Sequence, residues 1–238
     1  MNKLKLRIIT SAILIILVGG VYTATIIPKN NIVISTNSQN EVIYNGKKDS
    51  NNVSLMFNVY ENTKTVNEIL DVLKNKNAKA TFFVGGVWVK DNAETIKRIL
   101  EEGHELANHG NLHKDHKKIS EEDNRNEITT THLLVKSLTG YEMTLFAPPS
   151  GSFSKTTLKV AKELNYYTIM WSKDTIDWRD NDINLIIKRA TSSLEGGDLI
   201  LMHPKEHTKN ALEKIIENIK NSNFQIVKVS QNIGLNSI

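Results

Sequence analysis

Short apolar segments alternate with amphipathic segments along most of this chain, and this alternation restricts the possible folds more than any other feature. Apolar runs such as Leu199–Met202 have the length of a buried β-strand, whereas Val66–Leu73 repeats its apolar residues three and four positions apart, as one face of a helix does. About seven strand–helix units follow one another, which predicts an α/β fold whose parallel strands form a barrel. The predicted strands are Val53–Phe57, Ala80–Val84, Glu105–Asn108, Leu145–Ala147, Tyr167–Trp171, Leu199–Met202 and Gln225–Val229, and the predicted helices are Val66–Leu73, Ala93–Glu102, Glu121–Leu138, Ser154–Leu164, Ile183–Ser193 and Ala211–Ile219.

The residues that follow the apolar runs are the candidates for a functional site. In parallel barrels the chemistry lies at the C-terminal ends of the strands, where the following loops meet. The residues at these positions are polar, histidine-rich or turn-forming, and they come from five separate strands. They are residues 58–61, 109–113, 148–151 and 174–178, and His203.

Two histidine features in these loops could carry chemistry. His109 and His113 are four residues apart, and on a helical turn this spacing would place both imidazoles on one face, where they could share a divalent metal ion. The spacing alone is a weak signal and also arises by chance. His203 leaves an apolar strand and is either a hydrogen-bonded core residue or an acid–base group, and Asp177 could fix its tautomer.

The N-terminal segment predicts membrane attachment. Residues 8–27 carry no charge and would span about 30 Å as a helix, the thickness of the hydrocarbon core of a bilayer. Lys3, Lys5 and Arg7 precede this segment, so residues 1–7 should stay in the cytoplasm and the rest should be exported, to the outer face of the cell membrane. A cleaved signal peptide, which would give a secreted protein, is the alternative to this anchor. Residues 28–50 read as a linker, with weak strand character in places, and residues 51–238 as the folded domain.

Composition excludes several kinds of site and partner. The chain has no cysteine, so disulfides, thiolate metal ligands and cysteine nucleophiles are absent. The net charge is +4, but lysines are interspersed with acidic residues and form no dense basic stripe. We therefore expect no nucleic-acid partner, and we expect a monomer.

Six short motifs, in order, resemble the polysaccharide deacetylase (NodB-homology) family, also called carbohydrate esterase family 4. The resemblance runs from about residue 53 to 232 and implies a distorted (β/α)7-type barrel. It also implies a hydrolase that uses a divalent metal ion, zinc or a similar ion, to remove N-acetyl groups from amino sugars of a cell-wall glycan such as peptidoglycan. The motifs are Ala80–Val84, Gly103–Glu105, His109 with His113, Pro148–Gly151, Asp174 to Trp178, and Leu201–His203.

The resemblance also implies roles for individual residues. His109 and His113 match the metal ligands, and His203 matches the acid that protonates the leaving amine. Asp177 matches the carboxylate that tunes this acid. The expected substrate-binding residues are Pro149, Ser150 with its backbone N–H as an oxyanion donor, and Trp178 and Leu201 as pocket walls.

Three positions depart from the family pattern. The catalytic base is replaced by Asn58, the aspartate that binds the metal by Val59, and the arginine that pairs with the base by Ala147. Asn58 cannot take a proton at neutral pH, which leaves Glu61 as the only nearby carboxylate in that loop. Two hypotheses follow: a metal-dependent deacetylase that uses these altered residues, or a catalytically impaired glycan-binding protein on the same fold.

Overall fold

The computed structural model describes residues 42–235. This part of the chain forms eight strands and eight α-helices that alternate along most of its length. The strands are β1 Asn52–Val59, β2 Thr81–Val84, β3 Glu105–Asn108, β4 Leu145–Phe146, β5 Tyr167–Thr168, β6 Lys173–Asp174, β7 Leu199–Met202 and β8 Gln225–Ile226. The helices are α1 Thr63–Asn75, α2 Gly86–Asp91, α3 Ala93–Glu101, α4 Glu121–Thr139, α5 Lys155–Glu163, α6 Ile183–Thr191, α7 Glu206–Asn221 and α8 Val229–Asn232, with a 3₁₀ turn at Pro149–Gly151.

All the strands pair in parallel in one curled sheet. The order is β5-β4-β3-β2-β1-β7-β6, and β8 pairs with the start of β1. Asn58 pairs with Phe83 and Val59 with Val84, while Phe57 lies opposite Met202. Residues 43–45 bridge to Ile169 and Asp198, near the two ends of the sheet. This arrangement brings the C-terminal ends of β1, β2, β3 and β7 to a common edge.

The two faces of β1 bury different sets of side chains. The large cluster between the sheet and the helices, which we call the outer cluster, contains Val53, Leu55, Phe57 and Val59. Met56 belongs to the second cluster, inside the curl of the sheet. Because successive side chains of a strand point to opposite faces, Asn58 points to the same inner side as Met56.

The predicted α/β class with a parallel, curled sheet is confirmed, and most predicted elements are present. The two-residue strand β6 and the short helices α2 and α8 were not predicted, because none is long enough to show periodicity in the sequence. The predicted strand Gln225–Val229 ends at Ile226, and Val229 begins α8. The last long helix begins at Glu206, five residues before the predicted Ala211, since its polar first turn shows no apolar pattern.

The predicted membrane segment, residues 8–27, lies outside the described residues. Within residues 42–235 no helix has the length and apolar character needed to cross a bilayer.

Candidate functional site

The two histidines of the candidate metal motif lie close together in the loop after β3, which we call the histidine loop (residues 109–113). Their ring centroids are 5.5 Å apart. The loop is irregular and does not form a helical turn, because Gly110 and His113 have φ angles of 73° and 55°. The two rings approach through this left-handed backbone rather than through helical spacing.

His109 is buried and has a defined tautomer. Its Nδ1 lies 2.7 Å from the carbonyl oxygen of Ala147, which can only accept, so Nδ1 carries the hydrogen. Burial lowers the pKa of His109 to about 3, although the bond to Ala147 favours the protonated form. The pKa of the exposed His113 is also lowered by desolvation. Both imidazoles are therefore neutral at physiological pH.

Tyr60, one residue beyond the end of β1, reaches across to the histidine loop. Its hydroxyl lies 3.1 and 3.0 Å from the carbonyl oxygens of His109 and Gly110, and it accepts a hydrogen bond of 2.8 Å from the backbone N–H of His113. The phenol ring also makes edge contacts with both imidazoles, at centroid distances of 5.6 Å to His109 and 4.7 Å to His113. Burial raises the pKa of Tyr60, so its hydroxyl keeps its proton.

Asn58 stands at the position of the family's catalytic base, buried at the inner side of the sheet. Only 6% of it is exposed. No group in residues 42–235 donates a hydrogen bond to its Oδ1. A buried carbonyl oxygen without a donor costs about 1–3 kcal/mol, so Asn58 is destabilising where it stands and is a candidate for a functional role.

His203 and Asp177 form a tightly bonded pair. His203 donates from Nδ1 to Asp177 Oδ1 at 2.8 Å and from its backbone N–H to Oδ2 at 2.7 Å. The Thr208 hydroxyl donates to the same Oδ2 at 2.6 Å. Burial by itself would raise the pKa of Asp177, but these hydrogen bonds outweigh it and the pKa is lowered. Asp177 therefore stays ionised. It binds His203 through Nδ1, so Nε2 of His203 takes no part in the pair.

The remaining predicted site residues lie around the same edge. Glu61 forms an ion pair with Lys205, and its side chain is 58% exposed. Pro149 is buried and lies close to Gly110, while Ser150 is exposed with a φ of 54° in the 3₁₀ turn.

The two predicted pocket walls differ in exposure. Trp178 is 56% exposed, and the Arg179 guanidinium lies 5.8 Å from its ring centroid. Leu201 is buried in the cluster inside the curl of the sheet, where it pairs with Met56 of β1. Trp178 therefore offers an aromatic surface to solvent at the edge of the sheet, whereas Leu201 forms part of its floor.

The donor set does not fit the three-ligand metal site that the family resemblance implies. Catalytic zinc sites use three protein ligands of the His, Asp, Glu or Cys type. Val59 has no donor atom and packs into the outer cluster, and no three side chains of that type converge within the described residues. Zinc binding by His109 and His113 stays a prediction from the resemblance.

Sequence reasoning missed two residues that shape the site. Tyr60 lies within the candidate range 58–61 but was given no role, and Glu127 was not considered. Glu127 lies in the first half of α4, and its buried Oε2 accepts hydrogen bonds from the backbone N–H groups of Asn111 and Leu112, at 2.8 and 2.7 Å. A glutamate on a polar helix gives no local signal of this contact.

A curled, parallel α/β sheet with a histidine loop and an Asp–His pair at its C-terminal edge defines the class of protein, and comparisons identify the family. The family model for polysaccharide deacetylase matches residues 45–169. The chain belongs to the polysaccharide deacetylase family.

Similar proteins include both deacetylases and a pseudoenzyme. The uncharacterized protein YlxY of Bacillus subtilis is 34% identical over 193 residues, which are 81% of this chain and 60% of YlxY. A peptidoglycan-N-acetylglucosamine deacetylase of Bacillus cereus is 33% identical over 77% of this chain and 69% of its own length. The structure of BA3943, a CE4 family pseudoenzyme from Bacillus anthracis, aligns with a TM-score of 0.79 at 31% identity, over 83% of this chain and 70% of that one. This chain spans less than two thirds of YlxY.

Proposed function

We propose that this chain binds N-acetylated amino sugars of a cell-wall glycan, of the peptidoglycan type, at the C-terminal edge of its sheet, without the metal-dependent hydrolysis typical of its family. The observation that carries the proposal is Asn58. A carboxamide takes the place of the base, is buried, and leaves its Oδ1 without a donor. An acetamido group carries one N–H donor and one carbonyl acceptor, and its N–H would supply the partner that Oδ1 lacks once the Asn58 side chain turns toward the ligand.

The surroundings of Asn58 support recognition of a neutral sugar. The groups after β3 and β4 are the neutral His109 and Ala147. Because position 147 is alanine rather than arginine, no unpaired positive charge is buried beside Asn58. Trp178 adds an exposed indole at the rim, and aromatic faces pack well against the C–H faces of sugar rings. Polar groups that fix orientation beside an apolar wall are the usual composition of a small-molecule site.

Asn58→Ala should weaken binding of an N-acetylglucosamine oligomer about tenfold, the usual effect of losing one buried hydrogen bond. Binding of a matching 2-deoxyglucose oligomer should not change, because that ligand has no hydrogen-bond donor at the position of the acetamido group. Isothermal titration calorimetry with the full-length chain measures both affinities. Asn221→Ala, which changes an exposed asparagine at the end of α7, is the matched control.

The outcomes of this titration separate the binding function from the role of Asn58. Wild-type protein that binds neither oligomer would contradict the proposed function. Wild-type protein that prefers the N-acetylated oligomer, with the same preference in Asn58→Ala, would keep the function and remove Asn58 from it.

A second candidate function is the metal-dependent N-deacetylase itself, in which divalent metal, zinc or a similar ion, would be bound by His109 and His113. The observation that favours it is the intact His203–Asp177 pair, which a binding protein has little need to keep. A hydrolase also needs a group that activates water, and Glu61, the nearest carboxylate of that loop, is paired with Lys205.

We expect the wild-type chain to release no acetate from N-acetylated wall glycan above the blank, with or without added zinc. Acetate release is measured enzymatically over a long incubation with the purified full-length chain. His113→Ala and His203→Ala are the comparison variants. Release by the wild type that both substitutions abolish would establish the deacetylase and overturn the non-hydrolytic proposal.

A further inference from the structure

Every backbone N–H group of the histidine loop has an acceptor, and that of His109 donates to the carbonyl of Val84 at 3.0 Å. Four consecutive N–H groups, from Gly110 to His113, each donate to a side-chain oxygen, although the loop belongs to no helix or strand. The acceptors are Asn108 Oδ1 for Gly110 at 2.9 Å, Glu127 Oε2 for Asn111 at 2.8 Å and for Leu112 at 2.7 Å, and the Tyr60 hydroxyl for His113 at 2.8 Å. Such complete pairing fixes the path of an irregular loop.

Two carbonyl groups of the histidine loop also accept hydrogen bonds from the backbone. The backbone N–H of Gly86 donates to the carbonyl of Gly110 at 3.0 Å, and that of Val87 donates to the carbonyl of Asn111 at 3.2 Å. These two donors open helix α2, where a helix leaves its first N–H groups without partners inside the helix. The carbonyl groups of Gly110 and Asn111 therefore accept hydrogen bonds from the first two N–H groups of α2.

The backbone next to Tyr60 leaves room for its ring. A Cβ atom at Gly85 would lie 2.2 Å from Cζ of Tyr60, a distance at which one of the two residues must move. Glycine at position 85 is thus a condition for the tyrosine to lie against the loop. Tyr60 and Gly85 together form one packing arrangement between β1, β2 and the histidine loop.

We propose that Tyr60 and Glu127 hold the histidine loop in its shape in this protein, so that the loop needs no bound metal ion to keep both imidazoles in place. The position that supplies a metal-binding aspartate in the family pattern is Val59, which points into the outer cluster. The next residue, Tyr60, instead connects the end of β1 to the loop through three polar contacts. Direct protein contacts thus take over the organising role of a metal, and this holds whether or not the site binds a glycan.

Hydrogen exchange of the full-length chain tests the proposal through the peptide that covers residues 105–118. In the wild type, we expect the exchange of this peptide to be the same with EDTA, with no addition and with one equivalent of zinc. Tyr60→Phe should speed exchange of the His113 amide about tenfold, because that amide loses its only acceptor here. Glu127→Gln should speed exchange of the Asn111 and Leu112 amides, because it replaces a charged acceptor with a weaker neutral one.

Tyr141→Phe, which removes a partly buried hydroxyl outside the site, is the matched control, and thermal unfolding of each variant shows that the fold persists. Loop exchange that rises tenfold or more on adding EDTA to the wild type, or falls tenfold with zinc, would show that a metal holds the loop. Loop exchange in Tyr60→Phe and Glu127→Gln no faster than in Tyr141→Phe would remove both residues from the proposed role.

Discussion

Asp177→Ala should lower the free energy of unfolding by about 3 kcal/mol or more, because it leaves three hydrogen-bond donors without their acceptor, at a cost of about 1–3 kcal/mol each. Asp177 is 1% exposed, and its two carboxylate oxygens accept from His203 Nδ1, from the His203 backbone N–H and from the Thr208 hydroxyl. Alanine leaves these three donors without an acceptor at the end of β7, where the chain turns into α7. Asp177 connects the residue after β7 to helix α7, so losing its hydrogen bonds should lower the stability of the whole fold.

Urea unfolding of the full-length chain at pH 7 measures this effect. Asp71→Ala is the matched control, because the Asp71 side chain is 62% exposed and pairs with Arg98 at the surface. Exposed ion pairs contribute about 0–1 kcal/mol, so the control should change stability little. Equal, small losses in both variants would contradict a structural role for the Asp177–His203 pair, and that pair would then be kept for chemistry alone.

The fold was predictable because its signals are local and repeated. Each long strand is a short apolar run, and each long helix carries an apolar face, so the alternation survives errors at the ends of the elements. The sequence placed residues 58–61 after the first strand, whereas β1 continues to Val59, so the period of two directs Asn58 inward and Val59 outward. The sequence therefore predicted the order of the elements and the candidate positions, but not the full length of β1.

The shape of the histidine loop was not predictable in the same way. It depends on left-handed backbone at Gly110 and His113 and on contacts from Tyr60 and Glu127, which lie far from the loop in sequence or on a separate element. No periodic pattern encodes such contacts, because each joins one side chain to one backbone group across the fold. The i, i+4 spacing of the two histidines suggested a helical turn for the same reason: local spacing was the only information available.

The unfolding free energy should fall by about 3 kcal/mol as the pH is lowered from 6.5 to 4, because of His104. His104 is 3% exposed, and its Nδ1 accepts a hydrogen bond of 3.1 Å from the backbone N–H of Ala80. No group within residues 42–235 partners its Nε2. Protonation would place a charge in the interior and break the bond to Ala80, so burial lowers the pKa of His104 to about 4. The charged groups that act on it are Lys79, Arg98 and Lys228, which lower this pKa further, and Glu102, which raises it.

The direction of the pH effect follows from proton binding in the two states. An unfolded histidine binds a proton below about pH 6.5, whereas folded His104 does so only near pH 4, so acid favours the unfolded state between these values. Buried His109 acts in the same direction, which is why the test compares variants rather than a single curve. His104→Gln does not titrate, and we expect its stability deficit relative to the wild type to shrink as the pH falls from 6.5 to 4. Urea unfolding at several pH values measures this difference, and a deficit that stays constant with pH would show that His104 does not carry the effect.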